Sequence, residues 1–178
     1  EVLGPNLLLS HVIGLSESEV DCIARTNTKM VMCPPAALKS GSGTTIKGML
    51  PEMLGQGIPV ALGNDSANYG PVETLRSMYL AAILYKDARQ STKMVPAESA
   101  LEMATINGAK SLGLEDELGS IEEGKKADLV LFDTRRPELS TLFNPVNNIV
   151  YNADGRSVHS VIVNGKLVVE NYQALFVD

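Results

Sequence analysis

Three short apolar runs, each followed by a segment with a helical pattern, constrain the fold of this chain more than any other feature. The runs cover residues 7–13, 29–33 and 59–63, and they are almost continuously apolar. Such runs are typical of strands that are buried on both faces, as in parallel sheets. The order strand, helix, strand, helix, strand, helix, helix therefore predicts βα units around a parallel sheet, in either a barrel or an open doubly wound sheet.

The helix boundaries follow from local signals. Ser16-Glu-Ser-Glu19 has the spacing of a capping box, so a helix is expected to begin near Glu17. Gly57 lies where a helix C-cap is wanted, and Pro96 suits the first position of a helix. A strand closed by Pro34-Pro35 leads into a Gly/Ser loop over residues 39–45. The predicted helices cover about residues 17–26, 49–56, 72–89 and 96–112.

The character of the chain changes near residue 113. A turn-rich segment precedes a strand at residues 129–132, and two further strand-like runs flank Asn164-Gly165. An Asn-Gly pair between two such runs is the strongest short-range signal for a β-hairpin. We therefore expect two units, the βα part over residues 1–112 and a small β unit over residues 113–178.

Composition excludes several classes of function. The net charge is −6 and no cluster of Lys and Arg is interleaved with aromatic residues, which argues against a nucleic-acid partner. No apolar run approaches the roughly 20 residues of a membrane helix, so no membrane partner is expected. Cys22 and Cys33 have neither disulfide nor metal-knuckle spacing, and we interpret them as small apolar residues in a reducing, cytoplasmic environment.

Two ionisable side chains occupy the positions where βα proteins carry their active sites. His11 is near the end of the first predicted strand and Asp65 lies just past the third, and functional residues gather at the C-terminal ends of such strands. A metal hydrolase needs His and carboxylate groups that converge at one end of a barrel. Taken alone, each residue is also open to a structural interpretation, because a lone His in a strand is more often structural and an Asp after Gly-Asn also caps turns.

Several longer segments resemble one family in the correct order. Leu9-Ser-His11 and the residues up to Glu19 resemble its sixth-strand segment, and Val60-Ala-Leu-Gly-Asn-Asp65 resembles its eighth. The remaining similar segments are residues 104–114, residues 119–132 and the hairpin around Asn164-Gly165. The family is the amidohydrolase superfamily, and the resemblance is greatest to its aminohydrolase branch, which includes s-triazine hydrolases and guanine, cytosine and S-adenosylhomocysteine deaminases.

The resemblance implies an α/β fold that is the C-terminal portion of a (β/α)8 TIM-type barrel, strands 6–8, plus part of a small β-sandwich. It implies a metal-dependent hydrolase of non-peptide carbon–nitrogen bonds, a deaminase or dechlorinase of a heterocyclic ring that uses metal-bound hydroxide. Asp65 would be the metal ligand and proton acceptor, and His11 would contact the hydroxide or the substrate. Ser66 and Asn68, in the loop after Asp65, would contact a small heterocyclic substrate. The metal would be zinc, with iron as the alternative.

The resemblance also implies that most of the metal ligands lie outside this chain. The family's His-x-His pair, its third His and a nearby Glu have no counterpart, and the second histidine, His159, falls in the tail hairpin and is expected to be structural. We therefore expect the chain to be the C-terminal part of the enzyme and inactive by itself. Asn64 replaces the family's usual Thr. Amide or imide hydrolysis within the same superfamily, and a catalytically inert oligomerising fragment, remain open. In either case we expect a homo-oligomer.

Overall fold

The three apolar runs form a parallel sheet in the computed structural model, which describes residues 2–176. Strands β1 (Leu8–Ser10), β2 (Lys29–Met32) and β3 (Val60–Leu62) lie in the order β1-β2-β3, so β2 is central. Ser10 is opposite Val31 in the first pair of strands, and Val31 is opposite Ala61 in the second. The C-terminal ends of the three strands therefore meet at one edge, as the sequence predicts.

Helices occupy most of the remaining βα part, and one helix from further along the chain packs against them. The helices are α1 (Glu17–Thr26), α2 (Pro34–Lys39), α3 (Thr44–Lys47), α4 (Leu50–Gly55), α5 (Thr74–Ala88), α6 (Ala97–Ala104), α7 (Ile106–Leu112) and, from further along the chain, α8 (Pro145–Tyr151). The capping box at the start of α1 is confirmed, because the Glu19 amide donates to Ser16 Oγ and the Ser16 amide donates to the Glu19 carboxylate. Gly57 follows α4 with a φ of +74°, which completes the expected C-terminal turn.

Two predictions about helices are wrong. The single helix expected over residues 96–112 is two helices, because Thr105, with φ −126° and ψ −98°, interrupts it. Thr105 Oγ1 donates to the Leu101 carbonyl, and the change of direction lets α7 pack against β2 and β3. Pro34-Pro35 does more than close β2, since it begins the short helix α2, where a proline in the first turn needs no amide partner.

The core beneath the parallel sheet is rich in methionine. Val60 of β3 and Leu50 of α4 are fully buried there, together with one aromatic side chain, that of Tyr85. Unbranched thioether side chains fill irregular gaps between short elements, which suits a layer built from three- and four-residue strands. The buried methionines of the described chain are Met30, Met32, Met53, Met78 and Met103.

The C-terminal part forms a separate antiparallel sheet. Its strands are β4 (Leu129–Phe132), β5 (Val158–Val163), β6 (Lys166–Glu170) and β7 (Gln173–Ala174), in that order. The Asn164-Gly165 hairpin between β5 and β6 is confirmed, and both turn residues have positive φ, 48° and 75°. Between β4 and β5 the chain returns to the βα part, where α8 packs against α5 and α6. The division at residues 112 and 113 stays a prediction.

None of the helices within residues 2–176 has the length and apolar character needed to cross a membrane.

Lys86 closes the C-terminal end of α5 on the following loop. Its Nζ donates to the carbonyl oxygens of Ala82, Met94 and Val95 at 2.7, 2.7 and 2.8 Å. Val95 has a φ of +41°, a conformation that a β-branched residue adopts only when its surroundings hold it. The ammonium group therefore joins the helix end to a strained loop.

Replacing Lys86 with Met is expected to lower the free energy of unfolding by about 1–3 kcal/mol, because charge-assisted hydrogen bonds to three carbonyls are lost. Urea denaturation followed by circular dichroism measures the change. Lys93→Met, at an exposed lysine on the same loop, is the matched control and should change stability by less than about 0.5 kcal/mol. Equal effects of the two substitutions would contradict this role for Lys86.

Candidate active site

His11 and Asp65 meet at the C-terminal edge of the parallel sheet. His11 follows β1 directly and Asp65 comes three residues after β3, and their side chains bridge the end of β2. The distance from His11 Nε2 to Asp65 Oδ2 is 3.3 Å, and the two side chains are 41% and 34% exposed. An imidazole and a carboxylate are thus held in contact while both remain open to a ligand.

Both residues have a left-handed backbone. The φ values are 60° at His11 and 64° at Asp65, in a region that costs L-residues roughly 1 kcal/mol or more each. The strand ladder continues up to these positions, since the His11 amide donates to the Val31 carbonyl and the Gly63 amide to the Met32 carbonyl. The chain therefore turns abruptly at the sheet edge, and left-handed residues of this kind cluster at functional sites.

The residue before Asp65 is tied to helix α5. Ser77 Oγ donates to Asn64 Oδ1 at 2.8 Å and also lies 3.5 Å from the Gly63 carbonyl. Ser77 is fully buried, so its hydroxyl has no water to exchange with. The loop that carries Asp65 is therefore fixed to the helical layer behind the sheet.

A small cavity of about 210 Å³ opens beside the His11–Asp65 pair. Its wall is formed by Ile13, Ala36, Ala37, Ser40, Ser42 and Tyr69. Ser42 Oγ donates to the Ala37 carbonyl at 2.9 Å, which leaves its lone pairs free to accept from a ligand. The lining combines apolar side chains with hydroxyl, imidazole and carboxylate groups, which suits a small molecule that has both a ring and hydrogen-bonding groups.

The loop after Asp65 carries Ser66 and Asn68, for which the resemblance implies contacts with the substrate. Ser66 and Asn68 are exposed around a single 3₁₀ turn (Ala67–Tyr69), and neither lines the cavity. The turn directs Tyr69 toward the cavity instead, and Lys39 Nζ donates to the Asn68 carbonyl to fix the turn against α2. Sequence reasoning missed Tyr69, whose orientation depends on that turn. Substrate contacts from Ser66 and Asn68 stay a prediction.

Cys33 lies behind the site at the end of β2 and is buried. Burial raises the pKa of its thiol, and the negative charge of Asp65 raises it further. The thiol therefore stays protonated at neutral pH, which fits the interpretation of Cys33 as a small packing residue. Cys22, on α1, is also a free cysteine.

The donor set fits part of a zinc site. One imidazole nitrogen and one carboxylate oxygen are both groups that Zn²⁺ binds, but a catalytic zinc takes three or more protein ligands. Within residues 2–176, no group of three or more His, Cys, Asp and Glu side chains is close enough to hold a metal ion. Among the described residues, Asp65 would be a ligand of such a centre, with His11 beside it, and the other ligands would have to come from elsewhere.

The second histidine belongs to a network on the antiparallel sheet. His159 Nδ1 is 2.8 Å from Ser160 Oγ, and its ring meets that of Tyr172 edge-on at 5.2 Å. The Tyr172 hydroxyl donates to the Asp133 carboxylate, which also accepts two bonds from the Arg135 guanidinium. These contacts support the structural role expected for His159.

Asp133 should make stability depend on pH at acidic values. Bonds from the Arg135 guanidinium, and then from the Tyr172 hydroxyl, hold the pKa of Asp133 far below its usual value of 3.8. Because the folded carboxylate binds a proton less readily than the unfolded one, its stabilisation is complete above that value and is lost as pH falls below it. Asp133→Asn should reduce the pH dependence of the free energy of unfolding, measured with urea, below about pH 4. The exposed Asp116→Asn should leave the profile unchanged, and the same steepness in all three proteins would contradict the assignment.

Comparison with known proteins identifies the family to which the chain belongs. The chain matches the Amidohydrolase family over residues 1–168 and therefore belongs to it. It is 38% identical over 173 residues to the 5-methylthioadenosine/S-adenosylhomocysteine deaminase of Moorella thermoacetica, covering 97% of this chain and 40% of that protein. It is 34% identical over 176 residues to the 5'-deoxyadenosine deaminase of Methanosarcina acetivorans, covering 98% of this chain and 40% of that protein.

Solved structures of known proteins share the fold of this chain. An adenosine deaminase from Xanthomonas campestris with bound zinc matches with a TM-score of 0.94 and 28% identity, over 99% of this chain and 40% of that one. Atrazine chlorohydrolase from Arthrobacter aurescens TC1, complexed with zinc, matches with a TM-score of 0.88 and 25% identity, over 98% and 38%. The chain thus spans about 40% of these proteins' length, and the expected fold class, a partial α/β barrel with a small sheet, is confirmed.

Proposed function

We propose that the protein containing this chain is a metal-dependent hydrolase that removes the exocyclic amino group of an adenosine-type nucleoside. The observation that carries this proposal is the 3.3 Å contact between His11 Nε2 and Asp65 Oδ2 at the edge where the parallel strands end. The names of the relatives support the substrate class, since they are deaminases of 5-methylthioadenosine, S-adenosylhomocysteine and 5'-deoxyadenosine.

Each of the two residues has a chemical role in this reaction. Asp65 takes a proton from the attacking water and delivers it to the departing amine, so that water adds to the ring carbon, the C–N bond breaks and ammonia leaves. His11 Nε2 contacts the oxygen that attacks and stabilises the charge that develops there. A divalent metal, when bound, lowers the pKa of the attacking water. Zinc is the metal we propose, with Asp65 among its ligands and iron as the alternative.

The test is made on the full-length protein. It should contain about one equivalent of zinc per chain by elemental analysis, and it should release ammonia from 5'-methylthioadenosine or 5'-deoxyadenosine. Treatment with a chelator should abolish ammonia release, and added zinc should restore it. A full-length protein without bound metal would overturn the proposal and favour the inert oligomerising chain. Metal-dependent ring opening of a cyclic imide would favour amide hydrolysis.

Hydrolytic dechlorination is a second candidate because the fold also matches atrazine chlorohydrolase with a TM-score of 0.88. Parallel assays with atrazine, following chloride release, separate the two reactions. Chloride release faster than ammonia release would assign the site to halide displacement. A small heterocyclic substrate is common to both candidates. Homo-oligomerisation, a cytoplasmic location and the lack of nucleic-acid or membrane partners stay predictions.

A further inference from the structure

Asp65 depends on a neighbour for its position. Its left-handed backbone and its partly exposed side chain give it little support of its own, and its carboxylate must stay within reach of His11. The peptide that precedes it begins at Asn64, whose side chain points away from the cavity toward α5. The backbone that leads into Asp65 is therefore held from the side of α5, away from the cavity.

One support for this loop is a part-buried hydrogen bond from α5. Ser77 Oγ donates to Asn64 Oδ1 at 2.8 Å, and Ser77 has no exposed surface. The same hydroxyl lies 3.5 Å from the Gly63 carbonyl, so the oxygen acceptors on both residues before Asp65 face one donor. Breaking this part-buried bond costs free energy, because it leaves a polar group without its protein partner.

We propose that Asn64 and Ser77 are positioning residues that hold the Asp65 carboxylate in its geometry for metal binding and proton transfer. This inference rests on the proposed function of Asp65. Ser77 lies on helix α5, behind the sheet, and its shorter hydrogen bond toward the site is the one to Asn64. The two residues should therefore behave as one unit.

The experiment is a double-mutant cycle in the full-length protein with Ser77→Ala, Asn64→Ala and both together. Each single variant should raise the dissociation constant for zinc, measured by chelator competition, and lower kcat, each by about tenfold, as expected for a residue that orients a ligand. The double variant should also lose about tenfold and not a hundredfold, since the second change removes a bond already broken. KM for 5'-methylthioadenosine should stay within about twofold, because the cavity wall is untouched.

Ser157→Ala is the matched control. Ser157 is also fully buried and donates to Glu138 Oε1 at 2.9 Å, but it lies in a 3₁₀ turn just before β5, away from the candidate site. That variant should lose stability while zinc affinity and kcat stay at the parent values. If Ser77→Ala does not fold, Asn64→Ala, at a partly exposed residue, carries the test alone.

Zinc affinity and kcat unchanged in Asn64→Ala would overturn the inference, as would effects that multiply to about a hundredfold in the double variant. Those outcomes leave the proposed function intact, provided that the parent protein binds zinc and releases ammonia. A parent protein that does neither overturns the proposed function, and this inference falls with it.

Discussion

Asp65→Asn in the full-length protein is expected to lower kcat for nucleoside deamination by about a thousandfold or more. Asparagine has nearly the same shape and also tolerates a left-handed backbone, so the fold should be retained at φ 64°. What is lost is the group that accepts the proton and the negative charge that binds the metal. Ammonia release and zinc content, measured on the same preparation, should therefore both fall.

The control for this substitution is Asp116→Asn, at an exposed aspartate far along the chain. It removes the same charge from the protein and should keep the parent activity and the parent zinc content. If Asp65→Asn retained a tenth of the parent activity, Asp65 would be neither the proton acceptor nor an essential ligand. The site would then have to be sought among other residues of the full-length protein.

His11→Gln should lower kcat by about a hundredfold, the usual effect of removing one group that stabilises developing charge. Zinc content should stay near that of the parent protein, because His11 is assigned to the attacking oxygen and not to the metal. Elemental analysis beside steady-state kinetics makes this distinction. The two substitutions are therefore expected to differ in metal content as well as in rate.

The other histidine provides the control. His159→Gln removes the edge-on contact with the ring of Tyr172 on the antiparallel sheet, and it should change stability without changing kcat. Loss of zinc in His11→Gln, equal to the loss in Asp65→Asn, would show that His11 is itself a ligand. Parent activity in His11→Gln would remove it from the reaction altogether.

Local signals predicted the parts of the fold that are determined locally. The capping box at Ser16 and Glu19 and the Asn164-Gly165 turn appear where expected, because each is specified by residues within one turn. The break at Thr105 was not predictable in this way. The break exists because α7 packs against β2 and β3, and the strand residues that stabilise this packing are distant in sequence.

The same distinction applies to the candidate site. That His11 and Asp65 lie at one edge follows from the rule that parallel strands carry their functional groups at their C-terminal ends. The 3.3 Å contact between them depends on two left-handed residues, which no pattern in the sequence marks. The role of Ser77 was equally unpredictable, because a serine within a helix gives no sign that its hydroxyl bonds a loop residue 13 positions earlier.

The methionine-rich core offers a spectroscopic view of this site. Met30 and Met32 lie on β2, between the strands that lead to His11 and Asp65, and both are buried. Their methyl groups are sharp, well-resolved NMR probes when methionine alone is labelled with ¹³C. The chemical shifts of these methyl groups can thus be followed while the full-length protein is titrated with zinc. Met53 on α4 is the reference away from the sheet edge.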